Sequence, residues 1–178
     1  DQLGAIFAHD LRAQGAVYAT APAPSDHAAE TGRCLVLVTP DGERSMSTYL
    51  GATEHLAPAD IDEAQVAGAE WIFLEGYRFD GPESHAAFAR AIGLARAAGG
   101  RVALTLSDPF CVERHRAAFA RMLSGEVDLL FANRAELCAM YETADLDEAL
   151  SRAGAGVEIV ACTDGAAGVH LLAGGQRW

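Results

Sequence analysis

The chain has 178 residues, 51% apolar and 21% charged, a composition that fits one folded domain with a sizeable core and rules out a disordered segment. Its 13 Lys+Arg face 25 Asp+Glu, a formal charge of −12, which excludes nucleic acid and anionic membrane surfaces as electrostatic partners. All of those cations are arginine, so a P-loop lysine, a protein-kinase strand lysine and a Schiff-base lysine are excluded within these residues.

Leu3, Ile6, Phe7 and Leu11 fall on one face of a helix over residues 1–14 that stops near Gly15. Residues 19–31, rich in Ala, Pro, Ser and Asp, read as a loop. The period then changes to that of strands. Cys34–Thr39 is an apolar run, Pro40-Asp41-Gly42 is turn chemistry, and residues 45–50 alternate polar and apolar, which together predict a β-hairpin over 33–50. Pro58 opens a short helix through Val66. From there strands and helices alternate: strands at Trp71–Leu74, Val102–Leu106, Val127–Phe131, Glu158–Cys162 and Val169–Ala173; helices after Pro82, at Val112–Leu123, from Asn133 and from Asp145. A strand about every 30 residues with a helix between matches consecutive βαβ units, and continuous apolar strands suit a parallel sheet with both faces covered. The expected architecture is a three-layer α/β body with a small antiparallel hairpin attached.

Cys34, Cys111, Cys138 and Cys162 show no C-x-x-C spacing, and a reduced, cytoplasmic setting suits them. No apolar run approaches the ~18 residues of a membrane span, and no signal peptide is evident. The six histidines lack metal-ligand spacing, and neither H-E-x-x-H nor G-x-S-x-G occurs. Gly154-Ala155-Gly156 precedes a strand instead of following one, so it is no dinucleotide fingerprint. Arg114, Arg116 and Arg121 read as a solvated helix face.

In open parallel sheets ligands bind beyond the carboxyl ends of the strands. Those ends carry Glu75-Gly76, Ser107-Asp108-Pro109, Asn133 with Glu136 one turn on, and Thr163-Asp164-Gly165-Ala166-Ala167-Gly168. Every strand thus delivers a polar group or a glycine turn to one rim. Each also has a structural role open to it. Asn133 and Glu136 form the pattern of a capping box, Asp108-Pro109 that of a helix cap, and Thr163-Asp-Gly that of a plain turn.

The order of these features resembles the ribokinase-like (PfkB-type) family of carbohydrate and nucleoside kinases. Asp1-Gln2-Leu3-Gly4 is similar to its D-x-x-G segment, residues 41–52 to its lid hairpin, and Leu74-Glu75-Gly76-Tyr77 to a strand end facing substrate. Asn133-Arg134-Ala135-Glu136 matches N-x-x-E and Thr163–Gly168 matches T-x-G-x-x-G. Residues 107–116 look most like bacterial adenosine-kinase-like members.

The resemblance implies an α/β/α ribokinase-like fold with a mostly parallel sheet and a hairpin lid. The body would be formed by 1–15 and 52–178, and the lid by 16–51. It implies ATP and Mg²⁺, with Asn133, Thr163, Gly165 and Gly168 on the nucleotide, Glu136 on the metal, and Glu75, Gly51 and Ala52 on the acceptor side. The acceptor would be a small-molecule nucleoside or sugar, and the lid hairpin a possible homodimer contact. The family's Gly-Gly substrate motif is expected before residue 1 and its G-A-G-D motif, with the catalytic aspartate, after residue 178. These residues alone are therefore expected to be inactive. A non-catalytic α/β ligand-binding domain is the alternative.

Overall fold

The computed structural model describes residues 1–24 and 28–178; positions 25–27, inside the loop expected over 19–31 and including His27, lie outside the described residues. The chain divides into two compact units, Asp1–Leu56 and Ala57–Trp178.

The first unit opens with α1 (Gln2–Ala13), whose N-cap Asp1 accepts from the Gly4 N–H at 2.8 Å. The same carboxylate takes the Thr31 N–H (2.7 Å) and hydroxyl (2.8 Å), which ties the helix start to the residues just before the hairpin. Strands β1 (Arg33–Val38) and β2 (Arg44–Tyr49) pair antiparallel from Arg33↔Tyr49 to Val38↔Arg44, and every residue in both is exposed. The turn between them closes through Thr39 N–H to Glu43 O and Gly42 N–H to Thr39 O, both 2.9 Å, as the Asp-Gly pair predicts.

In the second unit, Pro58 starts only a 3₁₀ turn, Pro58–Asp60. The expected helix restarts as α2 (Glu63–Ala67) because Asp62 caps it afresh, accepting from the Gln65 N–H at 3.0 Å. There follow β3 (Trp71–Glu75), a 3₁₀ turn (Gly76–Asp80), α3 (Ser84–Ala97), β4 (Arg101–Thr105), α4 (Pro109–Leu123), β5 (Leu129–Asn133), α5 (Arg134–Tyr141), α6 (Leu146–Gly156), β6 (Ile159–Thr163), β7 (Val169–Ala173) and β8 (Gln176–Arg177). The sheet order is β3-β4-β5-β6-β7-β8; the first four are parallel, the last two antiparallel.

Consecutive strands laid side by side in one direction, joined by right-handed crossovers, put all the intervening helices on one face. That face is the core. Leu74, Leu104, Leu130 and Val160 stand in register across four strands and are buried against apolar residues such as Ile92, Phe119, Leu137 and Leu150 of α3–α6. The alternate residues Trp71, Phe73, Phe131 and Leu171 are exposed. Strand β5 begins two residues later than the apolar run suggests. Asp128 spends its carboxylate on the Val102 N–H (2.7 Å) and on Arg96 (2.9 Å), which fixes the chain before the ladder starts. Arg121 lies exposed as expected, but two other arginines of α4 depart from a solvated face. Arg114 grips Asp80 through two bonds (3.1 and 2.7 Å), and Arg116 reaches Ala139 O and Glu142, both at 3.1 Å, stapling α4 to the 3₁₀ turn 76–80 and to α5.

Candidate active site

Parallel pairing places all four carboxyl ends at one edge of the sheet. The ladder reads Glu75↔Thr105, Thr105↔Phe131 and then Asn133↔Thr163, so the polar residues past β3, β4, β5 and β6 share that edge.

Asn133 ends β5 and caps α5. Its Oδ1 accepts from the Glu136 N–H (2.8 Å), while Glu136 accepts from the Asn133 N–H (3.0 Å) and Nδ2 (2.6 Å). The capping box is therefore complete, and it leaves Glu136 only 6% exposed. Burial raises the Glu136 carboxyl above its ordinary value; the Asn133 N–H pulls it down, and the nearby charge of Asp108 pushes it further up. Each Glu136 oxygen takes one bond from Asn133 and keeps acceptor capacity for a metal-bound water.

Thr163, beside Asn133, leads into a turn closed by the Asp164 N–H to Gly168 O (2.8 Å). Gly165 (φ +52°) and Gly168 (φ +102°) hold backbone conformations that side chains resist, and a Cβ at either would meet no atom within 4 Å. The backbone of this turn is thus free to approach a ligand. The turn is also tied to α5: Arg134 Nε and Nη2 donate to the two Asp164 oxygens at 2.6 and 2.5 Å, and Arg134, with His170 behind it, holds the Asp164 carboxyl down to about 2.

At the β3 end, the half-buried Glu75 accepts a short bond from the Ser107 hydroxyl and a longer one (3.4 Å) from the Tyr77 N–H. Ser107 sits at φ +74°, a strained setting for a residue with a side chain. Gly76 is required here because a Cβ would lie 2.8 Å from the carbonyl oxygens of Thr105 and Leu106. The Tyr77 hydroxyl is pushed well above its usual range, first by burial and then by Asp108, Glu75 and Glu136. One phenol feels three carboxylates delivered by different strand ends. The structure therefore brings Glu75, Asn133, Glu136, Thr163, Gly165 and Gly168 to one edge of the second unit.

Gly51 and Ala52 belong to the first unit. Gly51 has φ +59° and would place a Cβ 2.2 Å from Glu30 O, while the Ala52 N–H donates to that same oxygen at 2.8 Å. A concavity of about 410 Å³ in this unit is lined by Arg33, Cys34, Leu35, Ser47, Thr48 and Tyr49.

The described residues contain no group of three or more His, Cys, Asp or Glu arranged to hold a metal. Mg²⁺ does not need one, because it keeps several waters and is held by one or two carboxylates plus phosphate oxygens. Glu136, whose two oxygens each keep acceptor capacity, fits that demand. Sequence reasoning put Ser107 and Tyr77 at the strand ends without giving either a role, and it overlooked the Arg134–Asp164 pair. The last carried a signal. Two motifs that end neighbouring strands at Asn133 and Thr163 are each followed by a residue of opposite charge, and pairing the strands sets those residues side by side.

A family model described as pfkB family carbohydrate kinase matches residues 1–178. The guanosine-inosine kinase of Escherichia coli K12 is 29% identical over 143 residues, covering 79% of this chain and 33% of that protein. The adenosine kinase of Sinorhizobium meliloti superposes with a TM-score of 0.94 at 42% identity, and a probable sugar kinase of Rhizobium etli CFN 42 with 0.94 at 43%; each match covers the whole of this chain and 54% of the other. The chain thus spans a third of the guanosine-inosine kinase and about half of the two solved structures. It belongs to the pfkB family of carbohydrate kinases and has an α/β ribokinase-like fold with a separate two-stranded antiparallel sheet.

Proposed function

We propose that these residues form the nucleotide side of an ATP-dependent kinase that phosphorylates a hydroxyl of a nucleoside or sugar. One observation carries this reading. Glu75, Asn133 with Glu136, and the Thr163–Gly168 turn stand at a single edge, at the carboxyl ends of adjacent parallel strands. Family membership and the similarity to adenosine, guanosine-inosine and sugar kinases support it.

Phosphoryl transfer needs positioning and charge stabilisation more than covalent help from the protein. Thr163, Gly165 and Gly168 offer backbone to the nucleotide, and Asn133 orients Glu136. Glu136 holds the water shell of Mg²⁺, which when bound neutralises phosphate charge. Glu75, held by Ser107, serves the acceptor. A homodimer contact through the hairpin and a cytoplasmic setting belong to the same proposal. No residue of 1–178 is assigned as the base. Asp164 is committed to Arg134 and is a poor proton acceptor.

Calorimetric titration of the chain with Mg²⁺·ATP, beside Glu136→Gln, tests the reading. Saturable binding with an altered Mg²⁺ dependence in the variant is expected; absence of binding to the unmodified chain overturns it. In the whole kinase, an acceptor panel of adenosine, ribose, fructose and 2-keto-3-deoxygluconate identifies the substrate. Acceptor-dependent ADP formation by residues 1–178 alone would refute the assignment of the base elsewhere.

A further inference from the structure

We propose that Arg134 and Asp164 act as a positioning pair that holds the 163–168 turn against the start of α5 and cancels the turn's charge, thereby setting the affinity for a nucleoside triphosphate. The inference rests on the nucleotide reading above and extends it to two residues that belong to neither motif's signature positions.

The geometry begins with register. Asn133 and Thr163 are partners across β5 and β6, so the next residues leave the sheet side by side. Arg134 is the first residue of α5, and Asp164 opens the turn. Nε meets Oδ1 at 2.6 Å and Nη2 meets Oδ2 at 2.5 Å, the two-pronged arrangement in which arginine holds a carboxylate most firmly. An ion pair between two exposed side chains holds little. Here the acid is inside: the Asp164 side chain is 13% exposed, against 50% for Arg134. His170 Nε2 stands 3.4 Å from Asp164 Oδ2; its Nδ1 meets Arg177 at 3.1 Å, and Arg177 continues to Asp147 at 2.6 Å. Asp164 is therefore gripped from α5 in front and braced from β7, β8 and α6 behind.

The turn needs such a grip. Within itself it has Asp164 N–H to Gly168 O, Ala167 N–H to Asp164 O and Gly168 N–H to Gly165 O. Gly165 and Gly168 are open on their Cβ sides, so no packing on those sides fixes them. The clasp couples this segment to the Asn133–Glu136 corner, so the two proposed nucleotide elements keep one spacing.

Charge gives the pair its second role. In a chain of −12 with no lysine, an unpaired Asp164 would face an incoming triphosphate. With Arg134 in place the local charge is balanced, and Arg134 Nη1, outside both bonds to Asp164, remains available.

The test measures Mg²⁺·ATP affinity of the full chain for the unmodified protein, Arg134→Met, Arg134→Lys, Asp164→Asn and the double variant Arg134→Met/Asp164→Asn, with a thermal melt of each. Arg134→Met is expected to weaken binding about tenfold or more, Arg134→Lys to fall between because it keeps charge without the fork, and the double variant to recover part of the loss. In the whole kinase the effect should appear in KM for ATP, with kcat at saturating ATP within about threefold. Unchanged affinity in Arg134→Met overturns the inference and leaves the nucleotide reading intact. So does a loss that follows the melting temperature in every variant without coupling. No binding by the unmodified chain overturns both.

Discussion

The hairpin and the parallel sheet are built from similar residues and reach opposite ends. Leu37 in β1 is 60% exposed, whereas Leu104 in β4 is fully buried. A two-stranded ribbon has two faces and no connection long enough to bring a helix back over either. The parallel strands need crossovers, and each crossover delivers an amphipathic helix to the same face. Apolar content selects strands in both units, but the connection between strands decides which of them bury.

The largest expected effect tests that contrast directly. Leu104→Ala should destabilise the α/β unit by about 2–5 kcal/mol, since it opens a cavity beneath α3 and α4. Leu37→Ala should change stability by less than about 0.5 kcal/mol. Chemical denaturation of both variants measures the pair. A large loss for Leu37→Ala would mean that the hairpin is covered in solution, as the proposed dimer contact requires, and the loss would then depend on protein concentration.

Glycines extend the comparison. Gly51→Ala, in the first unit, combines φ +59° with a Cβ 2.2 Å from a backbone oxygen. Gly165→Ala, in the second, meets φ +52° in open space. The first should cost about 2–3 kcal/mol and the second about 1 kcal/mol. Thermal melts rank them, and equal losses would show that the Gly51 turn opens without difficulty.

Much of the fold was legible because parallel strands are continuous apolar runs and their helices are announced by Asp108-Pro109, Asn133 and Asp145. Boundaries slipped where a side chain replaced the expected backbone partner, as Asp128 does before β5 and Asp62 does before α2. Strand β8, two residues long after Gly174-Gly175, is too short to leave a pattern. The rim at Glu75, Asn133 and Thr163 followed from strand order alone. The Ser107 backbone did not, because serine at φ +74° has no signature in sequence, and its place is set by Gly76 and Tyr77 thirty residues earlier.

Two carboxylates at that rim form a contrast on a smaller scale, with opposite signs: burial dominates one and an ion pair the other. Glu136 has its folded pKa raised by burial, so its contribution to stability is fully present below the unfolded value of about 4.3 and is lost as pH rises through the folded value. Glu136→Gln should therefore gain stability relative to the unmodified chain as pH rises from about 4 towards neutrality. Denaturation midpoints across that range measure it, and a difference that does not vary with pH would place Glu136 in an environment as open as water.

The smallest effect concerns Asp164, whose pKa is lowered to about 2, first by Arg134 and then by His170. Its contribution is present above the unfolded value of about 3.9 and disappears as pH falls through about 2. The unmodified chain should lose melting temperature more steeply than Asp164→Asn between about pH 4 and pH 2, and high salt should shrink the difference because Arg134 is half in solvent. Other acids titrate in the same window, so the difference between the two proteins is the quantity that isolates this pair. Parallel acid limbs would mean that the clasp opens freely in solution. The turn would then owe its position to the bracing from His170 and Arg177 alone, and the two corners of the rim would not move as one.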